Sequence, residues 1–177
     1  MSYLINLISD DFIIKKGFDS DILCTNIPNY SLILFYSPQC THSKNTLPII
    51  KQLPEKLNNC TFCIINISSP QGRNVIQMSK NTKSVIDCVP MIILYEDGRP
   101  LFRYKGERNT EDIINFIVNC YKTRQKQSQL ENRKNNNNIK NFTDGILKKK
   151  IPDYSIGVPL CGEDDEDCYL TLSQLYK

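Results

Sequence analysis

Cys40 lies in the stretch Phe35 to Lys44, F-Y-S-P-Q-C-T-H-S-K, with His42 two residues further on. A thiol beside a histidine is the pair needed for nucleophilic sulfur chemistry: the thiolate attacks, and a nearby imidazolium stabilises it. A free thiol titrates near about 8.5. At a helix N-terminus or beside a cation it can fall to roughly 3.5–7.5. Such a thiolate is also a good leaving group, so a disulfide formed on it exchanges readily.

Seven more cysteines occur: Cys24, Cys60, Cys63, Cys88, Cys120, Cys161 and Cys168. Cys60 and Cys63 have the spacing of a redox or zinc pair but lie in a β-branched segment. In a strand, residues three apart face opposite sides, about 10 Å from each other, whereas a disulfide needs Cα atoms within about 7 Å. No zinc half-site completes them, because Cys161 and Cys168 have the wrong spacing and His42 is the only histidine. Cys161 and Cys168 bracket the acidic loop Glu163 to Asp167. Nearby carboxylates raise a thiol pKa, so these two are either slow disulfide partners or idle surface thiols.

The elements that position Cys40 follow from pattern. The run Leu32-Ile33-Leu34-Phe35-Tyr36 reads as a buried strand. A helical pattern covers Asn45 to Leu57, so Cys40 sits where a strand hands over to a helix N-terminus, whose N–H groups and dipole favour an anion. Pro48 and Pro54 predict an irregular helix. Upstream, Tyr3 to Ile8 reads as a first strand. Asp10 to Cys24 is ambiguous, a short helix weakened by Gly17 and the pair Ile13-Ile14. Asn26 to Ser31 reads as a loop. Downstream, Thr61 to Ile67 is a strand, Ser69 to Gly72 a turn, and Arg73 to Ser84 a short helix. Met91 to Tyr95 and Leu101 to Tyr104 are strands joined by the turn Glu96-Asp97-Gly98-Arg99. Thr110 reads as an N-cap, with Glu111 and Asp112 in the first turn of a helix whose apolar face is Ile113, Ile114, Phe116, Ile117 and Cys120.

The active-site stretch resembles the thioredoxin superfamily, and the protein disulfide isomerase branch most closely, which typically reads F-Y-A-P-W-C-G-H-C-K. Phe35, Tyr36, Pro38, Cys40, His42 and Lys44 match. Pro48, eight residues after Cys40, stands where the family has its helix-kinking proline. A second block, Val89 to Val118, also resembles that branch, including its Y-x-G-x-R ending at Arg108. The resemblance covers about Tyr3 to Lys122 and implies an α/β thioredoxin fold, a central mixed sheet flanked by helices, in the order β-αβ-αβ-β-α.

Three positions depart from the family. Ser43 replaces the second cysteine, giving C-x-x-S; Gln39 replaces the tryptophan; Leu34 replaces a buried acid. In the family the second thiol releases the substrate and the acid moves its proton, and a lone buried carboxylate is costly. Ser43 and Leu34 therefore read as one change, loss of the fast release step. The resemblance implies a cis bond before Pro90, against the alternative of a trans proline at a strand start. It implies for Arg108 a swing toward the site, against a solvated loop arginine. Cys88 would lie near Cys40, as a substitute resolving thiol or a small buried filler.

The chain has 177 residues and a net charge of +3, too small by itself to argue for nucleic acid. No apolar run reaches the length of about 18 residues needed to span a membrane. The N-terminus lacks the features of a secretory signal, and the last residues are not an ER-retention signal. A cytoplasmic protein with free or redox-active thiols is expected. Residues 1–122 read as the thioredoxin-like domain and 123–150 as a flexible polar linker. Residues 151–177 read as a tail segment that could dock on the domain. The homopolymer Asn135 to Asn138, in a chain rich in Ile, Lys and Asn, suggests an AT-rich genome, as in some large DNA viruses and some protists. The expected function is monothiol disulfide exchange through mixed disulfides at Cys40, with weak isomerase, deglutathionylating or client-trapping activity. Its partners would be protein thiols or disulfides. No cofactor is expected, with glutathione at most a thiol co-substrate. The alternative is a catalytically inactive thioredoxin-fold module, for binding or as a virion-associated structural part.

Overall fold

The computed structural model of the chain describes residues 4–135, with side chains through residue 125. A five-stranded mixed sheet has the order β1-β5-β4-β6-β7. Its strands are β1 (Leu4–Asn6), β4 (Tyr30–Tyr36), β5 (Thr61–Asn66), β6 (Met91–Glu96) and β7 (Arg99–Arg103). β1 and β4 run parallel to β5; β6 is antiparallel to β4, and β7 to β6. β2 (Phe12–Lys16) and β3 (Asp21–Thr25) form a separate antiparallel hairpin. The helices are α1 (Thr41–Lys56), α2 (Pro70–Ser79) and α3 (Thr110–Asn135). This is the thioredoxin fold, with the hairpin added to the expected order of elements.

The centre of the sheet is apolar on both faces, which is why β4 and β6 read as continuous hydrophobic runs. Alternation sorts the side chains into two cores. Ile33, Phe35, Cys63, Ile65, Met91, Ile93 and Tyr95 face α2 and the hairpin. Leu32, Leu34, Phe62, Ile64, Ile92 and Leu94 face α1 and α3. Leu32 through Phe35 are all fully buried, each worth about 1.5–3 kcal/mol of transfer free energy.

Asp10 to Cys24, ambiguous in sequence, is mostly the hairpin. The run Ile13-Ile14 weakens a helix because branched Cβ atoms suit a pleated strand, and it sits in β2. Phe12 is buried and meets Phe35 with ring centroids 6.0 Å apart. The expected first strand is shorter, three residues against β5.

The turn expected at Ser69 to Gly72 is instead the start of α2. Ser69 is its N-cap, accepting the Gly72 N–H at 3.0 Å, and Pro70 occupies the first turn, where its missing N–H costs nothing. A Cβ at Gly72 would lie 2.1 Å from the Asn66 carbonyl oxygen, so only glycine lets α2 pack this close to β5. α2 ends at Ser79 rather than Ser84. α1 starts at Thr41, earlier than the apolar pattern indicated, and stays helical through Pro48 and Pro54, where irregularity was expected. The Asp97-Gly98 turn has positive φ at both residues, +48° and +74°, as a tight hairpin between β6 and β7 requires.

α3 is capped one residue earlier than expected. Asn109 Oδ1 accepts the Asp112 N–H at 2.8 Å, and Asn109 Nδ2 donates to Asp112 Oδ2 at 2.7 Å. The helix continues past Lys122 to Asn135, into the stretch read as linker. The remainder of that linker and the segment 151–177, with Cys161 and Cys168, lie outside the described residues. Among the described residues no helix is long and apolar enough to cross a membrane.

Leu34 stands in the α1–α3 core at 0 % exposure. Leu34→Asp should therefore cost about 3 kcal/mol or more, by stranding a carboxyl among apolar side chains. Urea unfolding at neutral pH measures it, and a cost below about 1 kcal/mol would contradict this burial.

Candidate functional site

β4 leaves the sheet at Tyr36, and four residues carry the chain to α1. Cys40 is the N-cap of α1, in extended conformation (φ −85°, ψ 121°), and its side chain makes no capping hydrogen bond. The Cys40 N–H donates to Ser37 O at 3.1 Å, and its carbonyl accepts the Lys44 N–H at 3.1 Å. Cys40 is 2 % exposed, and its Sγ donates to the Val89 carbonyl oxygen at 3.5 Å. The Val89–Pro90 bond is cis, in agreement with the family pattern rather than the trans alternative. Cys40 and the segment before β6 thus form one site.

Ser43, in the place of a second thiol, is fully buried, and its Oγ accepts the Ser37 N–H at 3.3 Å. Serine here closes the loop that carries Cys40. Gln39 is also built in. Ser37 Oγ donates to Gln39 Oε1 at 2.6 Å, Ser68 Oγ to the same oxygen at 2.8 Å, and the Gln39 N–H reaches Ser37 Oγ at 3.2 Å. The two hydroxyls lie 2.8 Å apart. This polar cluster ties the Cys40 loop to the β5–α2 connection, and sequence reading missed it because nothing local links Ser37 to Ser68.

His42 is half-buried in the first turn of α1, and its carbonyl accepts the Thr46 hydroxyl at 2.8 Å. Arg108 is half-buried in the loop before α3, close enough to Tyr104 to act on its phenol. Burial first, then Asp112 and Glu107, push that phenol up to about 12, against the pull of Arg108. Cys88 is half-buried beside Val89, and Arg103 Nη2 lies 3.0 Å from its Sγ. Arg103 was not among the expected site residues. Its one signal in sequence is a cation inside the strand pattern Leu101 to Tyr104.

The remaining described thiols are core residues. Cys60 and Cys63 belong to opposite cores, as strand alternation requires. Burial pushes both up to about 12, Cys63 with help from Cys60 and Asp11. Burial raises Cys120 to about 11 and also raises Cys24. Among the described residues no group of three or more His, Cys, Asp or Glu side chains could hold a metal ion.

A family model described as Thioredoxin matches residues 12–119. Protein 020R of Invertebrate iridescent virus 3, described as uncharacterized, is 27 % identical over 83 % of this chain and 79 % of its own length. Protein 196R of Invertebrate iridescent virus 6, described likewise, is 30 % identical over 66 % of this chain and 70 % of its own. Thioredoxin domain-containing protein 15 of Rattus norvegicus is 28 % identical over 65 % of this chain, which spans only 30 % of that protein. Among solved structures, human ERp44 superposes with a TM-score of 0.49 at 18 % identity, over 67 % of this chain and 29 % of that one.

The raised core thiols predict an alkaline limit to stability. Below about pH 9 folded and unfolded chains both keep these protons. Above it the unfolded chain releases them first, so stability falls as pH rises toward the folded value of about 12 for Cys63. Each such thiol adds a slope of about 1.4 kcal/mol per pH unit within that window. Unfolding measured from pH 8 to 11 should fall less steeply for Cys63→Ala than for the unmodified chain. Equal slopes would show that Cys63 does not titrate differently on unfolding.

Proposed function

Since the chain belongs to the thioredoxin family, we propose that its thiol–disulfide chemistry runs on a single active-site thiol, Cys40. The observation that carries this reading is the pairing of Cys40, at the N-cap of α1 and against Val89, with a buried serine at position 43.

The step begins with the Cys40 thiolate attacking one sulfur of a protein or glutathione disulfide. A Cys40–sulfur bond forms, the disulfide's own bond breaks, and the departing thiolate takes a proton from solvent. A second cysteine one helical turn away would now displace the substrate. Ser43 cannot, because its hydroxyl is no thiolate and is held by the Ser37 N–H. The mixed disulfide therefore waits for an outside thiol. If the adduct is glutathione, a second glutathione thiolate attacks the glutathione sulfur, releasing glutathione disulfide and regenerating Cys40. Long-lived adducts suit deglutathionylation, client trapping or slow isomerisation, with protein thiols and disulfides as partners and glutathione as co-substrate.

The groove beside the cis Val89–Pro90 bond would supply the other half of recognition. The Val89 carbonyl already accepts one hydrogen bond from Cys40, and an extended peptide could take it over once the sulfur is engaged. Leu34 supports the reading: without a second thiol to deprotonate, an apolar side chain fills the site of the acid at no electrostatic cost.

The test is the lifetime of the Cys40–glutathione adduct, located and followed by peptide mass mapping without added thiol. It should persist in the unmodified chain, be absent in Cys40→Ser, and decay at least about a hundredfold faster in Ser43→Cys, where the attacking thiol is intramolecular. Ser43→Cys should also gain insulin-disulfide reduction. A Cys40 that forms no adduct, or a Ser43→Cys chain with no gain, would overturn the monothiol reading and leave a binding module on the same groove.

A further inference from the structure

A second thiol borders the same site, and its surroundings differ from those of Cys40. Cys88 is half-buried and immediately precedes Val89. Beneath it lies Arg103, the last residue of β7, at only 2 % exposure. Arg103 Nη2 donates to Cys88 Sγ at 3.0 Å and to Asp87 Oδ1 at 3.0 Å. The Arg103 Nε is buried without a hydrogen-bond partner.

A guanidinium has donors only and keeps its proton at any relevant pH, so a sulfur this close must accept. Sulfur accepts best as the thiolate. A buried cation also demands compensation, since leaving it unpaired is strongly unfavourable. Asp87 offers one carboxylate, but its side chain is 44 % exposed and shared with water. Solvent screens that carboxylate, and the other acceptor the same Nη2 reaches is Cys88 Sγ, while the buried Nε–H stays unpaired.

We propose that Cys88 is a second disulfide-exchanging thiol, set up by the buried Arg103, which takes up small disulfides such as glutathione disulfide independently of Cys40. The Cys88 thiolate attacks one glutathione sulfur. A Cys88–glutathione bond forms, the glutathione disulfide bond breaks, and the released glutathione thiolate is protonated by solvent. One disulfide is consumed and one is made, so no further oxidant or reductant enters. Attack on the adduct by free glutathione thiolate runs the step in reverse. Arg103 is a positioning residue in this step; Asp87 competes with Cys88 for its charge. Removing Asp87 and removing Arg103 should therefore act in opposite directions, which a merely structural role for the cluster would not produce.

The experiment uses the full chain carrying Cys40→Ser, so that its outcome is independent of the Cys40 chemistry. Folded protein is exposed to glutathione disulfide at neutral pH, and adduct formation is located by peptide mass mapping. Cys88 should be modified well before Cys24, Cys60, Cys63 and Cys120. Adding Asp87→Asn should raise the Cys88 rate about tenfold, the change that one pKa unit brings to a thiolate population. Adding Arg103→Met should lower it by a similar factor. Should Arg103→Met fail to fold, the exposed Asp87→Asn substitution decides alone. A Cys88 modified no sooner than Cys120, or a rate that Asp87→Asn leaves unchanged or lowers, would overturn the proposal.

Discussion

A strand buried on both faces cannot end inside the sheet, and most of this structure depends on where β4 ends. Leu32 to Phe35 are sealed between two cores, and the strand pairs with β5 on one side and β6 on the other. Its register is therefore fixed by four side chains that would have to exchange faces for it to slip. Tyr36 is the last paired residue on the β5 side. From there the loop has four residues in which to reach α1, and Cys40 occupies the last of them. The same strand pairing puts Phe35 opposite Met91. That brings the Val89–Pro90 segment to the end of β4 and so to the thiol.

The parts of the fold legible in the sequence are those governed by local pattern. The runs in β4, β5 and β6 are apolar because both sheet faces are covered. Asp97-Gly98 marks its own turn through the positive φ it must adopt. The active-site stretch was legible from its motif, and the cis bond at Pro90 agreed with it. What was not legible depends on partners distant in sequence. The β2–β3 hairpin lacks a recognisable turn pair, and its alternation is broken by Ile13-Ile14 and Lys15-Lys16, so neither period stood out. Ser69 and Asn109 each cap a helix by accepting one backbone N–H on a side-chain oxygen, and the neighbouring Thr110 offered an equally good cap by type. Arg103 gave only an odd charge in a strand, since its burial follows from the α2–β6 connection folding over it.

The three departures from the isomerase pattern have separate physical consequences, two in the hydrogen bonds of the loop and one in the core beneath α1 and α3. Tryptophan in the family contributes a large apolar surface; Gln39 contributes an amide oxygen shared by two serine hydroxyls. Ser43 exchanges a nucleophile for a hydrogen-bond acceptor within the same loop. Leu34 exchanges a proton carrier for apolar packing under α1 and α3. Each replacement satisfies its own surroundings. A site decaying without constraint would be expected to leave cavities or unpaired polar groups. Among the described residues the buried unpartnered side-chain atoms are those of Ser20, Ser31, Ser84, Tyr95 and Arg103, and none belongs to the Cys40 loop.

Arg103 is the one charged side chain among those five, and its position gives it a structural role. A methionine or leucine could fill the space between β7 and the α2–β6 connection without desolvating a charge, and buried ion pairs seldom improve on such packing. The cation lies at the end of the sheet that carries Cys40, because Arg103 pairs with Ile93 near the start of β6. Its two hydrogen-bonded partners, Asp87 and Cys88, both belong to the segment that leads into the cis proline. One guanidinium therefore anchors the strand end, the segment and a thiol together. The two thiols next to Val89 hydrogen-bond in opposite senses: Cys40 Sγ donates to the Val89 carbonyl, while Cys88 Sγ accepts from the Arg103 guanidinium.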